Sequence, residues 1–132
     1  MLSNTLIIKA TRQTPGVHFD CKEGVFHIFG QSYPEDANEV YKPIFDWLSD
    51  FEPEQGKQYI VKIDMKYYNT ASSRKLFDLL RAFNELYRNN YLFTVQWYYN
   101  EEDEDILDSG RNFDELIELP FEYIVNPPRP RK

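Results

Sequence analysis

A single cysteine, Cys21, stands in 132 residues, so the chain can form no internal disulfide and offers no Cys-x-x-Cys pair for a metal. That usage fits a reducing compartment. His18 and His27 are the only histidines, and neither lies in a His-Glu-x-x-His pattern. Each reads as an ordinary strand residue, because a metal site needs three or four converging ligands. Five glycines are too few and too scattered for a phosphate-binding loop, and no Gly-x-Ser-x-Gly elbow occurs. There is no apolar run near the ~20 residues needed to span a membrane. Met1 to Ala10 lacks the basic start and long apolar core of a signal peptide. Basic residues are the minority, 15 Lys and Arg against 22 Asp and Glu for a net charge of −7, and they cluster only at Arg129-Pro130-Arg131-Lys132. Such a balance repels nucleic-acid phosphates and anionic membrane surfaces. The expectation is a cytoplasmic protein with no nucleic-acid partner, no membrane insertion, no metal and no cofactor.

What is plentiful is aromatic: 17% of the chain, ten Tyr and ten Phe among them, within 42% hydrophobic residues overall. A chain of this length makes about one domain and buries roughly two-thirds of its unfolded surface. The expected organisation is one domain over 1–125. A flexible Pro/Arg tail follows over 126–132, since Asn126-Pro127-Pro128-Arg129-Pro130-Arg131-Lys132 has no means of burying itself.

Period-two and period-3.6 segments alternate along the chain. Leu6 to Ala10 reads as a short first strand, and Val17 to Asp20 with Val25 to Phe29 as a hairpin around Cys21-Lys22-Glu23-Gly24, in which Gly24 supplies a positive φ if the turn requires one. Ser32-Tyr33-Pro34-Glu35 has the Ser-x-x-Glu spacing of a capping box and predicts a helix start there. Ala37, Val40, Tyr41, Ile44, Trp47, Leu48 and Phe51 form its buried stripe, and Pro43 should bend it. Tyr59, Val61, Ile63 and Met65 alternate with Ile60, Lys62, Asp64 and Lys66 in a strand with one apolar face. Leu76, Leu79, Leu80, Phe83, Leu86 and Tyr87 mark the next helix, ending near Asn89-Asn90, and Leu92 to Tyr99 the strand after it. That strand, helix, strand order implies a parallel pair joined by a right-handed crossover. Glu101 to Asp105 reads as the acid-loaded start of a last helix rather than a cation site, and Leu119 to Val125 as a last strand. The polar alternates Lys62, Asp64, Lys66, Thr94 and Gln96 place the helices mainly on one face of a mixed sheet, an α/β fold.

The segment richest in chemistry is Asp64-Met65-Lys66-Tyr67-Tyr68-Asn69-Thr70-Ala71-Ser72-Ser73-Arg74-Lys75, where a strand turns into a helix through a cluster of hydroxyls. The first turn of a helix has unpaired N–H groups and the positive end of the dipole, so a phosphate on Thr70 or a neighbouring Ser finds donors there. Most helices put Asp or Glu in that turn. Here Arg74 and Lys75 follow, opposing the dipole and calling for an anion. Helix capping by one of these Thr, Ser or Asn residues is the plain alternative. Exposed aromatics around Tyr67-Tyr68 and Trp97-Tyr98-Tyr99 would suggest a docking surface, although most are expected in the core.

This segment closely resembles the SiaC family of bacterial regulatory phosphoproteins, together with Gly30-Gln31-Ser32-Tyr33-Pro34-Glu35-Asp36-Ala37, Trp97-Tyr98-Tyr99-Asn100-Glu101-Glu102-Asp103-Glu104-Asp105 and Thr14-Pro15-x-Val17-x-Phe19-Asp20. The likeness covers nearly the whole chain in the family's order. It implies a single domain of the STAS kind seen in anti-sigma-factor antagonists, with reversible phosphorylation at the threonine that matches Thr70. Asn69, Ser72, Ser73, Arg74 and Lys75 would then form the phosphate and partner environment. Ala71 departs from the family pattern, which usually has Ser there. In the best-known members a dedicated kinase adds the phosphate, a PPM-type phosphatase removes it, and the unphosphorylated form binds and activates a diguanylate cyclase. The resemblance thus implies a non-enzymatic switch with a kinase, a phosphatase and a protein client as partners. Two rivals remain from the residues: a constitutive adaptor, and a hydrolase or phosphotransferase using Thr70 or Ser72 as nucleophile with the carboxylates near Asp64. The enzyme reading lacks an adjacent base in sequence.

Overall fold

The computed structural model describes residues 4–126; the Pro/Arg tail beyond Asn126 lies outside the described residues. Nine elements follow in order: β1 (Thr5–Ile8), β2 (Gly16–Asp20), β3 (Val25–Ser32), α1 (Asn38–Ser49), β4 (Gln58–Tyr68), α2 (Thr70–Arg88), β5 (Leu92–Asn100), α3 (Glu104–Leu116) and β6 (Phe121–Asn126). They build a six-stranded sheet in sequential order, with β1, β2 and β3 antiparallel and β3 through β6 parallel. Three crossovers of the same hand that advance in one direction across a sheet lay their helices on the same face, and parallel connections are right-handed as a rule. Burial agrees. Phe26, Ile28, Tyr59, Val61, Ile63, Phe93, Val95 and Trp97 on that face are buried, while the alternate residues Ile60, Lys62, Asp64, Thr94 and Gln96 are only half-buried. The one-sided mixed sheet expected from the alternation is therefore the fold observed.

The aromatic surplus fills the space between sheet and helices. Phe26 sits at its centre, with ring centroids 5.2 Å from Phe51, 5.2 Å from Phe83 and 5.3 Å from Phe19. Trp47, Tyr59 and Phe93 complete its shell. Truncating such a ring to Ala costs about 3–5 kcal/mol. The β2–β3 turn does require a positive φ, and Gly24 supplies it at +72°, its N–H donating to the Asp20 carbonyl at 2.9 Å.

Two expectations change. Ser32 does not cap α1. β3 runs through an irregularity at Gly30/Gln31 as far as Ser32, and α1 starts six residues later at Asn38, because the Ser32 hydroxyl is buried and used elsewhere. The helix then passes through Pro43, whose missing N–H leaves the Glu39 carbonyl without its usual helical partner. Asn126 is the last residue of β6 rather than the first of the tail; its side-chain amide donates to Asp64 Oδ1 at 3.1 Å.

Candidate functional site

β4 stops at Tyr68 because Asn69 takes over as the helix cap. Its backbone is extended (φ −84°, ψ 179°) and its Oδ1 accepts from the Ser72 N–H at 2.9 Å. The same side chain donates from Nδ2 to the carbonyls of Tyr33 at 2.7 Å and Pro34 at 2.9 Å, and the Asn69 N–H donates to the Ser32 carbonyl at 3.1 Å. One residue thus ends a strand, starts a helix and ties down the β3–α1 loop. Capping belongs to Asn69 and not to the hydroxyl of Thr70, which is the first residue inside α2.

The hydroxyls of the segment separate by environment. Thr70 is exposed, and its hydroxyl makes no hydrogen bond among the described residues. Ser72 is fully buried. Its Oγ lies 2.6 Å from Ser32 Oγ, which in turn accepts from the Tyr41 hydroxyl at 2.9 Å, forming a buried chain of three hydroxyls beneath the helix start. Burial raises the Tyr41 phenol above its ordinary value, with the two serine hydrogen bonds opposing. None of these groups is a base at neutral pH, so Ser72 has no activating partner. Ser73 is half-buried, and its N–H makes the first intrahelical bond, to the Asn69 carbonyl at 2.8 Å. With Ser72 served by the cap, the amides of Thr70 and Ala71 are left for an incoming acceptor.

Arg74 is exposed and Lys75 half-buried, and neither belongs to an ion pair among the described residues. Arg74 stands one turn beyond Thr70, the spacing that puts two residues on one helix face. The first turn of α2 holds no acidic residue. The acidic run is occupied differently: Asp103 caps α3 through the Ile106 N–H at 3.0 Å, and Glu104 and Asp105 fill its first turn. Among the described residues, no three His, Cys, Asp or Glu are grouped to hold a metal ion. Nor is any described helix long and apolar enough to cross a membrane.

Sequence reasoning missed Ser32 and Tyr41 as supports of the site. It also missed that Tyr33 and Tyr67, both exposed, stack with ring centroids 4.7 Å apart beside Asn69. Periodicity carries no signal for contacts between residues more than thirty positions apart.

The molecule is a one-sided α/β domain that presents a free threonine hydroxyl at a helix start. The chain belongs to the SiaC family of regulatory phosphoproteins, whose family model matches residues 8–126. An uncharacterized protein of Pseudomonas aeruginosa is 26% identical over 116 residues, 88% of this chain and 92% of that one. The fold also matches apo-SiaC from Pseudomonas aeruginosa with a TM-score of 0.83 at 24% identity, covering 93% of this chain and all of that one. SiaC bound as activator to the diguanylate cyclase SiaD of that organism matches at 25% identity and a TM-score of 0.83, over 92% of this chain and 99% of that one.

Proposed function

We propose that this protein is a cytoplasmic, non-enzymatic binding module whose Thr70 is reversibly phosphorylated, and whose unphosphorylated form engages a protein client. By family membership and by the SiaC–SiaD complex of Pseudomonas aeruginosa, that client is a diguanylate cyclase or a similar signalling protein. A kinase and a PPM-type phosphatase set the phosphorylation state. The observation that carries this reading is the contrast between Thr70, exposed and uncommitted, and Ser72, buried and hydrogen-bonded two residues later. A kinase can reach the first and not the second.

Phosphate adds about −1.5 to −2 charges, enough to disrupt a preformed interface by repulsion and desolvation. A penalty of ~3 kcal/mol weakens binding about a hundredfold. The helix start already offers the amides of Thr70 and Ala71, so the modification needs no refolding. The test combines mass spectrometry of protein treated with its native kinase with calorimetric titration of the native cyclase into both forms. Stoichiometric phosphate at Thr70 and a large loss of affinity are expected. No phosphate at Thr70 would leave a constitutive adaptor, and equal affinity of the two forms would defeat the switch. Turnover of phosphate or acyl esters that disappears in Thr70→Ala would overturn the non-enzyme reading.

A further inference from the structure

Two tyrosines lie beside the switch with much of their ring surface in water. Tyr33 is 44% exposed and Tyr67 43% exposed, yet their rings stack on each other at 4.7 Å with planes 28° apart. Stacking two rings at the surface lowers their rotamer freedom before any partner arrives, and rigid Tyr pairs of this kind act as anchors in interfaces. The pair is held in place from below. Tyr33 Oη donates to Gln31 Oε1 at 2.9 Å, the Tyr33 N–H donates to the Gln13 carbonyl at 2.8 Å, and the Tyr33 carbonyl accepts from Asn69 Nδ2. Because Asn69 is also the cap of α2, the aromatic pair and Thr70 share one rigid support.

Charge supplies the second half of the surface. In a chain of net charge −7, Arg74 and Lys75 stand without an ion pair among the described residues, close to a helix N-terminus that already carries positive potential. Cations placed there destabilise the free protein slightly and are relieved by an anion from outside.

Resting on the reading of Thr70 as the switch, we propose that the Tyr33–Tyr67 stack and the Arg74/Lys75 end of α2 form one docking surface for an acidic segment of the client protein, with an apolar side chain seated on the tyrosines and a carboxylate at the helix start. Phosphate on Thr70 then acts as an internal competitor. It takes the amides and the cations that the client's carboxylate uses, so release follows without movement of the fold.

The test titrates the native diguanylate cyclase into unphosphorylated wild type, phosphorylated wild type, Tyr33→Ser/Tyr67→Ser, Arg74→Glu and Arg74→Lys. Urea denaturation of each variant beside wild type shows that the fold and the helix start are intact. The double tyrosine variant should lose about thirtyfold in affinity, the effect of a hot-spot truncation. Arg74→Glu should lose at least about tenfold, with Arg74→Lys near wild type and affinity falling as salt rises. Wild-type affinity in the tyrosine variant would overturn this surface while leaving the phosphorylation switch standing. Tighter binding by Arg74→Glu would point to a basic client steered by Glu35 and Asp36, and would overturn the acidic assignment. No difference between phosphorylated and unphosphorylated wild type would overturn the surface and the switch together.

Discussion

Two helices of this protein start beyond the C-terminal ends of neighbouring parallel strands, α2 after β4 and α3 after β5, and are built on opposite electrostatic plans. α3 begins with Asp103 as cap and Glu104 and Asp105 in its first turn, so its positive end is answered from within. α2 begins with the neutral cap Asn69, has no acid in its first turn and continues into Arg74 and Lys75. The acidic start gains dipole stabilisation from its own side chains. The basic one gives up some dipole stabilisation and keeps its donors for an anion, which is the arrangement a phosphorylation switch needs.

Removing the two caps should give unequal results. Asp103→Ala is expected to cost about 1 kcal/mol, the ordinary loss for an N-cap. Asn69→Ala loses the cap and also the two hydrogen bonds donated to the Tyr33 and Pro34 carbonyls, so about 2–3 kcal/mol is expected. Asn69→Asp keeps an acceptor for the Ser72 N–H while removing both donated bonds, which separates the two contributions. Urea denaturation of the three variants is the measurement; equal costs for Asn69→Ala and Asp103→Ala would show that the clamp on the β3–α1 loop contributes nothing.

A second experiment probes how firmly α3 is held. A Cβ added at Gly110 would lie 2.6–2.7 Å from the indole of buried Trp97, whose Nε1 donates to the Ile106 carbonyl at 2.9 Å. Gly110→Ala should therefore destabilise by about 1–3 kcal/mol despite Ala's better helix propensity. A neutral or stabilising result in thermal unfolding would mean that α3 moves off the sheet easily, and the contrast between a structural and a functional helix start would weaken.

The difference between the two starts was partly legible in the residues. Acid before Ile106 and hydroxyls before Leu76 are local patterns, and the change from period two at Tyr59 to Met65 to period 3.6 at Leu76 to Leu86 placed the β4–α2 boundary within a residue or two. The one-sided sheet followed from polar alternates such as Lys62 and Gln96. Ser32 was misread for an instructive reason: Ser-x-x-Glu is a local pattern, whereas the Ser32 hydroxyl is claimed by Ser72, forty positions away, and by Tyr41. The stack of Tyr33 on Tyr67 and the triple use of Asn69 are likewise products of strand register between β3 and β4. No period in either segment encodes that register.

Acid should weaken the protein at the sheet rather than at either helix start. His27 faces His18 across the β2–β3 pair and Lys62 across β3–β4. Burial lowers its pKa below 6.5, Asp64 opposes this, and Lys62 and His18 add to it. The folded protein therefore holds this proton less tightly than the unfolded chain. The stability tied to neutral His27 is present above the unfolded value of 6.5 and is lost as pH falls below it, toward the lower folded pKa. His27→Gln should flatten the decline in denaturation midpoint between about pH 7 and 5. An unchanged slope would move the acid sensitivity elsewhere, with the helix starts the first places to look.

The smallest expected effect falls on the residue that matters most to the proposed switch. Because Asn69 and not Thr70 caps α2, Thr70→Ala removes an exposed hydroxyl without a hydrogen bond, and should change stability by no more than about 0.5 kcal/mol. Thr70→Glu places a carboxylate in a first turn that has none, and should stabilise by about 0.3–1 kcal/mol. That gain copies locally what Glu104 and Asp105 do for α3, so it should shrink as salt is raised. Client binding is expected to separate the same two variants widely: Ala leaves the surface neutral, and Glu introduces about half a phosphate's charge. Thermal unfolding at low and high salt, set beside a titration of the cyclase, checks both halves. A destabilisation above about 1 kcal/mol in Thr70→Ala would return Thr70 to a capping role. The two helix starts would then differ in sequence and not in purpose.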